Sequence, residues 1–363
     1  MTYEKLVVRG IRVRPVNVPM SLPLVTGGGS VSTAPLALID LETEEGVTGH
    51  AYVFCYSTLT LSPVAALIGN LSVILAGKRV APLAIEEKLG KAFRLIGLQG
   101  ITAMAAAGID MAAWDALAKA SGLPLARLLG GEPRPIQAYN SKGLGIIGAK
   151  AAGKEAQQLL AEGFRAVKVR LGYASAAADV EVVRAVRAAV GDDVALMSDY
   201  NQSLSMTEAQ QRIRRLDDDG LEWVEEPVRF DDYAGCARIR RKVRTPIQIG
   251  ENCWGPHDMA KALEAGACDY FMPDVVKIGG VSGWLRAAAL GEPMGMPISS
   301  HLYPEISAHL LSVTSTRHWL EYVDWASPIL EQPAAVSDGH LTPSQDPGIG
   351  IAWNEDAVSR YAM

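Results

Sequence analysis

Downstream of about residue 135 the chain repeats one pattern. A run of five to nine mostly apolar residues is followed by a stretch of helical length, with apolar positions three and four apart and a glycine near its end. The runs are IQAYNS, FRAVKVRLG, VALMSDYNQS, LEWVEEP, PIQIGEN, YFMPDVVKIGG, MPISSHL and HWLEYVD. Strand–helix alternation at this pitch predicts parallel strands joined by right-handed crossovers. Eight such runs fit a (β/α)8 barrel better than an open sheet. No GxGxxG or GxxxxGK[ST] follows any run, which counts against a nucleotide-binding fold. The first third differs. Residues 35–54 (PLALIDLETEEGVTGHAYVF) read as two strands around a Glu-Glu-Gly turn, and 64–121 read as helices stopped by Gly-Leu-Pro. The glycine-rich segment 26–33 (TGGGSVST) is a surface loop or a mobile lid. These readings divide an α/β chain into an α+β capping domain (1–130), a barrel (131–330) and a tail (331–363) that returns to the capping domain.

Composition narrows the function. Of 363 residues, 49% are hydrophobic and 20% charged, ordinary for a globular protein able to fill a large core. A net charge of −6 argues against a nucleic-acid partner, and the basic run at 238–242 (RIRRK) reads as a solvated helix face. Cys55, Cys236, Cys253 and Cys268 have no metal or disulfide spacing, so free thiols are expected. The N-terminus lacks a signal-peptide pattern, and Asp110 and Asp115 interrupt the alanine-rich 101–119. A cytoplasmic protein with no membrane partner is expected. The apolar helices, 101–119 among them, suggest a homo-oligomer.

The chemistry lies where the predicted strands end. Lys168, Asp199, Glu225, Glu251, Asp274, His301 and Glu321 are separated by 31, 26, 26, 23, 27 and 20 residues, one titratable side chain per βα unit. A barrel brings the C-terminal ends of its strands to one rim. Singly, each residue has a plain structural reading, such as a helix cap for Asp199 or Asp274. Together, three carboxylates on consecutive strands repel unless a cation compensates. Asp199, Glu225 and Glu251 offer hard oxygen ligands, which suits Mg²⁺, with Mn²⁺ as a substitute. His301 is a natural base, with Asp274 placed to fix its tautomer. Lys168 places a cation beside a substrate carboxylate. Glu321, held protonated by the surrounding anions, would donate to an enolate oxygen. The expected partner is a small-molecule carboxylate.

With these residues in place, the chain resembles the mandelate racemase subgroup of the enolase superfamily over essentially its full length. VNVP, STAPLALIDL, MAAAGIDMAAWDALAK, GFRAVK, DYNQSL, EEP, GEN, PDVVKIGG, SSHL, EISAHLL and HWLE carry the likeness. A histidine or lysine base working with Mg²⁺ at an ene-diolate is a known pattern of that superfamily. The resemblance implies a barrel with an α+β cap, the metal triad above, the His301–Asp274 dyad, Glu321 as electrophilic acid and Lys168 as carboxylate partner. Lys277 is taken as support for its loop. One position departs from the pattern. The second lysine of the racemases' Lys-x-Lys is Arg170 here, and a guanidinium is a poor base at neutral pH. One-face abstraction by His301 and dehydration of an acid sugar, a 2-hydroxy acid, is therefore the leading expectation. A racemase using Arg170 and a non-catalytic metal- and carboxylate-binding barrel are the alternatives. Ser141, Asn201, Tyr56 and Leu302 are expected at the substrate. Leu24 and Val31 could form an apolar wall, while Gly28, Ser30, Ser32 and Lys142 favour a polyhydroxylated substrate.

Overall fold

The computed structural model describes residues 6–27 and 29–363. Strands β1 (Val8–Thr26), β2 (Gly29–Thr43) and β3 (Thr48–Phe54) form an antiparallel sheet in that order. β1 carries Pro15, Pro19 and Pro23, which lack the N–H a ladder needs, and it lies at the sheet edge where that loss is tolerated. The predicted lid is the tip of the β1–β2 hairpin, where Val25 pairs with Ser30 and Thr26 with Gly29. Gly28 lies outside the described residues.

Helices α1 (Thr58–Leu75), α2 (Pro82–Ala92) and α3 (Ile101–Ala120) follow. α3 packs so closely on β3 that a Cβ on Gly49 would sit 2.0 Å from the carbonyl of Ala112. Alanine and glycine in α3 permit this approach. The helix is therefore core, and its apolar surface gives no reason to expect a subunit contact. By length and composition α1 and α3 are apolar enough to cross a bilayer, but in α3 72% of the apolar window is buried inside the protein. Asp110 accepts from Ser282, and Asp115 accepts from the backbone of His50 and Ile349. Both aspartates tie α3 to other parts of the chain.

After a single turn, α4 (Leu125–Leu128), the parallel strands begin: β4 (Ile136–Asn140), β5 (Ala166–Arg170), β6 (Ala195–Asp199), β7 (Val224–Glu225), β8 (Ile247–Ile249) and β9 (Tyr270–Phe271). Each pairs in parallel with the next. Segment 298–301 continues the ladder through bridges from Ile298 to Phe271 and Arg317, and β10 (Leu320–Tyr322) pairs back onto β4. This is the eight-fold arrangement the sequence predicts. The tail pairs His340 with Gln137 and then reaches the capping sheet, where the Trp353 indole donates to Asp40 at 2.7 Å.

Strand geometry sets the site. Residues two apart point to the same side of a strand. Tyr139, Ala166, Met197 and Trp223 form a buried floor packed against Tyr270 and Trp319. Two residues beyond Tyr139, Ala166, Met197, Trp223 and Trp319 stand Ser141, Lys168, Asp199, Glu225 and Glu321.

Candidate active site

One oxygen each from Asp199, Glu225 and Glu251 lies within 4.8 Å of the others, and all three residues are buried. Lys168 Nζ lies 2.7 Å from Glu225 Oε1, 2.8 Å from Glu321 Oε1 and 3.2 Å from Asp199 Oδ2. Burial opposes its charge, but these carboxylates prevail and hold its pKa well above the lysine norm. Burial, with the charges of Asp199, Glu321 and Glu251, lifts Glu225 to about 8 against the pull of Lys168. One lysine does not neutralise this crowd. The donor set, three close hard oxygens with excess negative charge, suits Mg²⁺.

His301 Nδ1 lies 2.7 Å from Asp274 Oδ2, and its Nε2 faces Glu251 at 3.2 Å and Glu321 at 3.8 Å. Burial disfavours the imidazolium, but Glu251, Glu321 and Asp274 outweigh it and raise the ring to about 9. Asp274 is itself fixed by the backbone N–H groups of Val276 and Lys277 and by the Tyr56 hydroxyl. The expected dyad is present.

Glu321 differs from expectation. Its Oε1 accepts from Ser141 Oγ at 2.7 Å and its Oε2 from the Leu302 N–H at 2.9 Å. Burial pushes the carboxyl up, but Lys168 and His301 win and hold it well below the usual range. Both oxygens accept hydrogen bonds here, and Lys168, the cation expected to face the substrate, lies against Oε1.

Arg170 is engaged through its two terminal nitrogens, while its buried Nε has no hydrogen-bond partner among the described residues. Nη1 donates to the carbonyls of Ser141 and Gly143 at 2.7 and 3.0 Å, and Nη2 donates to Ser141 Oγ at 2.9 Å. Asn201 donates to Asp199 through both its backbone and its side-chain amide. Tyr56, Asn201, Glu226 and Leu302 all have positive φ, between 38° and 57°. Such backbone is uncommon for non-glycine residues and gathers at functional sites.

Lys168, Arg170, Asp199, Asn201, Glu251, His301, Leu302 and Glu321 line a cavity of about 510 Å³, whereas Glu225, Asp274 and Ser141, the last expected at the substrate, do not. Its capping-domain wall is apolar, made by Leu24, Val31, Phe54, Tyr56, Ile101 and Met104. The hydroxyls on that wall are committed, Tyr56 to Asp274 and Thr60 to the carbonyls of Cys55 and Ser57. Lys142 does not line the cavity and pairs with Glu162 and Asp324. Ser30 and Ser32 are exposed outside it.

A second ring of polar residues was not singled out by sequence reasoning. Buried Glu226 accepts from Gln202 and Asn252, and Asn252 also donates to Glu251 and accepts from Lys277. Lys277 lies 4.3 Å from the centre of the Tyr56 ring. Its role exceeds loop support. The doubled glutamate before Pro227 was the available signal.

Residues 8–130 match the mandelate racemase / muconate lactonizing enzyme N-terminal domain, and residues 151–357 match the enolase C-terminal domain-like family. An enolase from alpha pretobacterium bal199, solved with bound Mg, is 46% identical with a TM-score of 0.97, covering 99% of this chain and 100% of that one. A Bradyrhizobium enolase complexed with magnesium and mandelic acid is 43% identical with a TM-score of 0.95, covering 99% of each. The L-talarate/galactarate dehydratase of Salmonella typhimurium is 30% identical over 75% of this chain and 69% of its own length. The chain thus belongs to the mandelate racemase / muconate lactonizing enzyme family, enzymes of the enolase superfamily.

Proposed function

We propose that this enzyme removes the proton α to the carboxylate of a 2-hydroxy acid and, where C3 carries a hydroxyl, expels it as water. The observation that carries this reading is one imidazole lining the cavity beside a guanidinium that is a poor base. His301 presents Nε2 to the cavity while Asp274 holds Nδ1. Arg170, on the strand where a second base would stand, turns Nη1 and Nη2 to Ser141 and Gly143.

Asp199, Glu225 and Glu251 would hold a divalent cation, which would supply positive charge beside the substrate carboxylate. Lys168 adds a fixed cation from below. His301 takes the C2 proton on Nε2, and Asp274 keeps the imidazolium oriented. Breaking the C3–O bond releases the hydroxyl, which leaves as water with the proton returned by His301. The enol then becomes a 2-keto acid. The dehydratase activity named for the Salmonella relative agrees with this outcome.

The apolar capping wall favours a second reading for substrates lacking a C3 hydroxyl. An apolar 2-hydroxy acid fits that wall, as the mandelic acid in the Bradyrhizobium neighbour suggests. One experiment separates the two. The enzyme with Mg²⁺ in D₂O is given each enantiomer of mandelate and a panel of acid sugars. A 2-keto product, with α-exchange of only one mandelate enantiomer, supports one-base dehydration. Exchange of both enantiomers without any keto product would replace it with racemisation.

A further inference from the structure

Glu225 ends β7, and Trp223 stands two residues before it on the same side of the strand. The Trp223 side chain is fully buried, and its Nε1 lies 3.1 Å from Glu225 Oε2. An indole N–H can only donate. The other oxygen, Oε1, faces Lys168. The two contacts pin both ends of one carboxylate, so its plane cannot turn freely.

The indole is itself held. Tyr139 meets it edge-on with centroids 5.5 Å apart, Tyr270 does so at 6.3 Å, and His318 packs at 5.9 Å. Neither Asp199 nor Glu251 receives a bond from this floor. Asp199 is bonded by Asn201 from the rim and paired with Lys168, and Glu251 is bonded by Asn252.

We propose that Trp223 is a positioning residue for the metal site, locking the Glu225 carboxylate from beneath so that its other oxygen is presented to the cation. This rests on the metal reading above. Outer hydrogen-bond partners of metal ligands typically change affinity by about 10–100-fold when removed. Without the N–H, one buried oxygen loses its partner and the carboxylate is ordered only by Lys168 and the cation.

The test uses Mn²⁺ alone, with free ion followed by electron paramagnetic resonance, so no turnover is needed. Replacing Trp223 by β-(3-benzothienyl)alanine keeps the bicyclic shape and deletes the donor. Trp223→Phe provides a second, genetically encoded variant. Trp319→Phe removes a neighbouring indole that makes no bond to a metal ligand. The expected result is a Kd for Mn²⁺ raised about tenfold or more in the benzothienyl protein, which still melts cooperatively. Trp319→Phe should leave the Kd near that of the wild type. Wild-type affinity within twofold in the benzothienyl protein would overturn the proposal while leaving the metal reading intact. Absence of Mn²⁺ binding in the wild-type chain would instead overturn the metal reading, and this inference with it.

Discussion

The two walls of the cavity are built in opposite ways. The barrel wall carries Lys168, Asp199, Glu251, His301 and Glu321, with Glu225 behind them, and each is bound to at least one other charged group. The capping wall offers Leu24, Val31, Phe54, Ile101 and Met104. Charge on one side and its absence on the other divide the labour. On the proposed function, the barrel would fix which bond breaks and the cap what the remainder of the substrate can be. A polyhydroxylated chain reaching the cap would leave hydroxyls without partners, which is costly in a buried site.

The largest effect expected is on the barrel side. His301→Asn should lower α-proton exchange by roughly 10²–10⁴-fold, the span usual for loss of general-base catalysis, with Mn²⁺ affinity unchanged. Exchange surviving at the wild-type rate would show that another group is the base.

The second prediction concerns the cap's attachment. Asp40 on β2 is buried and meets Arg12, Arg14, His50 and the Trp353 indole. Burial alone would raise its pKa, but the bonds from His50 and Trp353 and the charge of Arg14 bring it from 3.8 to about 2. A lowered carboxyl pKa stabilises the fold above the unfolded value and loses that contribution as pH falls through the folded one. The loss should fall between about pH 4 and pH 2 and reach about 2 kcal/mol. Urea unfolding at pH 5 and pH 3 should show it in the wild type and not in Asp40→Asn. A parallel pH response in both proteins would remove Asp40 from the account.

Arg170→Lys sharpens the comparison within the barrel wall. It frees Ser141 Oγ and installs a side chain able to lose its proton. Exchange of the slow mandelate enantiomer should rise about tenfold, a change of 1.4 kcal/mol in barrier. No rise would mean that more than the missing base prevents second-face chemistry. The smallest effect is expected on the cap. Val31→Thr should raise KM for an apolar 2-hydroxy acid by up to about tenfold with kcat little changed, since a pocket of this kind discriminates by roughly 1–3 kcal/mol. A fall in kcat alone would place Val31 in the chemistry instead.

The barrel mouth was the more legible of the two regions. One titratable residue per βα unit is a signal in one dimension, and barrel topology alone makes the strand ends converge. The cap was harder. β1 was missed because its prolines break the pattern that a central strand would show, and only its edge position makes them acceptable. The apolar surface of α3 suggested a contact with another chain, because sequence cannot show that β3 and the helix Gly280–Gly291 already cover it. Within the mouth, identities were legible but pairings were not. Whether Lys168 faces Glu225 or Glu321 depends on distances of about an ångström, and it faces both. The same limit turned Glu321 from expected donor into acceptor. Glu226 stands out in the sequence only as a neighbour of the more obvious Glu225, and Trp223 reads as ordinary core.

Crystals soaked in Mn²⁺ with a 2-hydroxy acid test the arrangement on which the rest depends, because anomalous scattering locates the ion without assumption. The account predicts one strong peak among the carboxylates of Asp199, Glu225 and Glu251, with the α-carbon of the ligand on the side of His301 Nε2. A peak elsewhere, or a ligand whose α-carbon turns away from that imidazole, would contradict it.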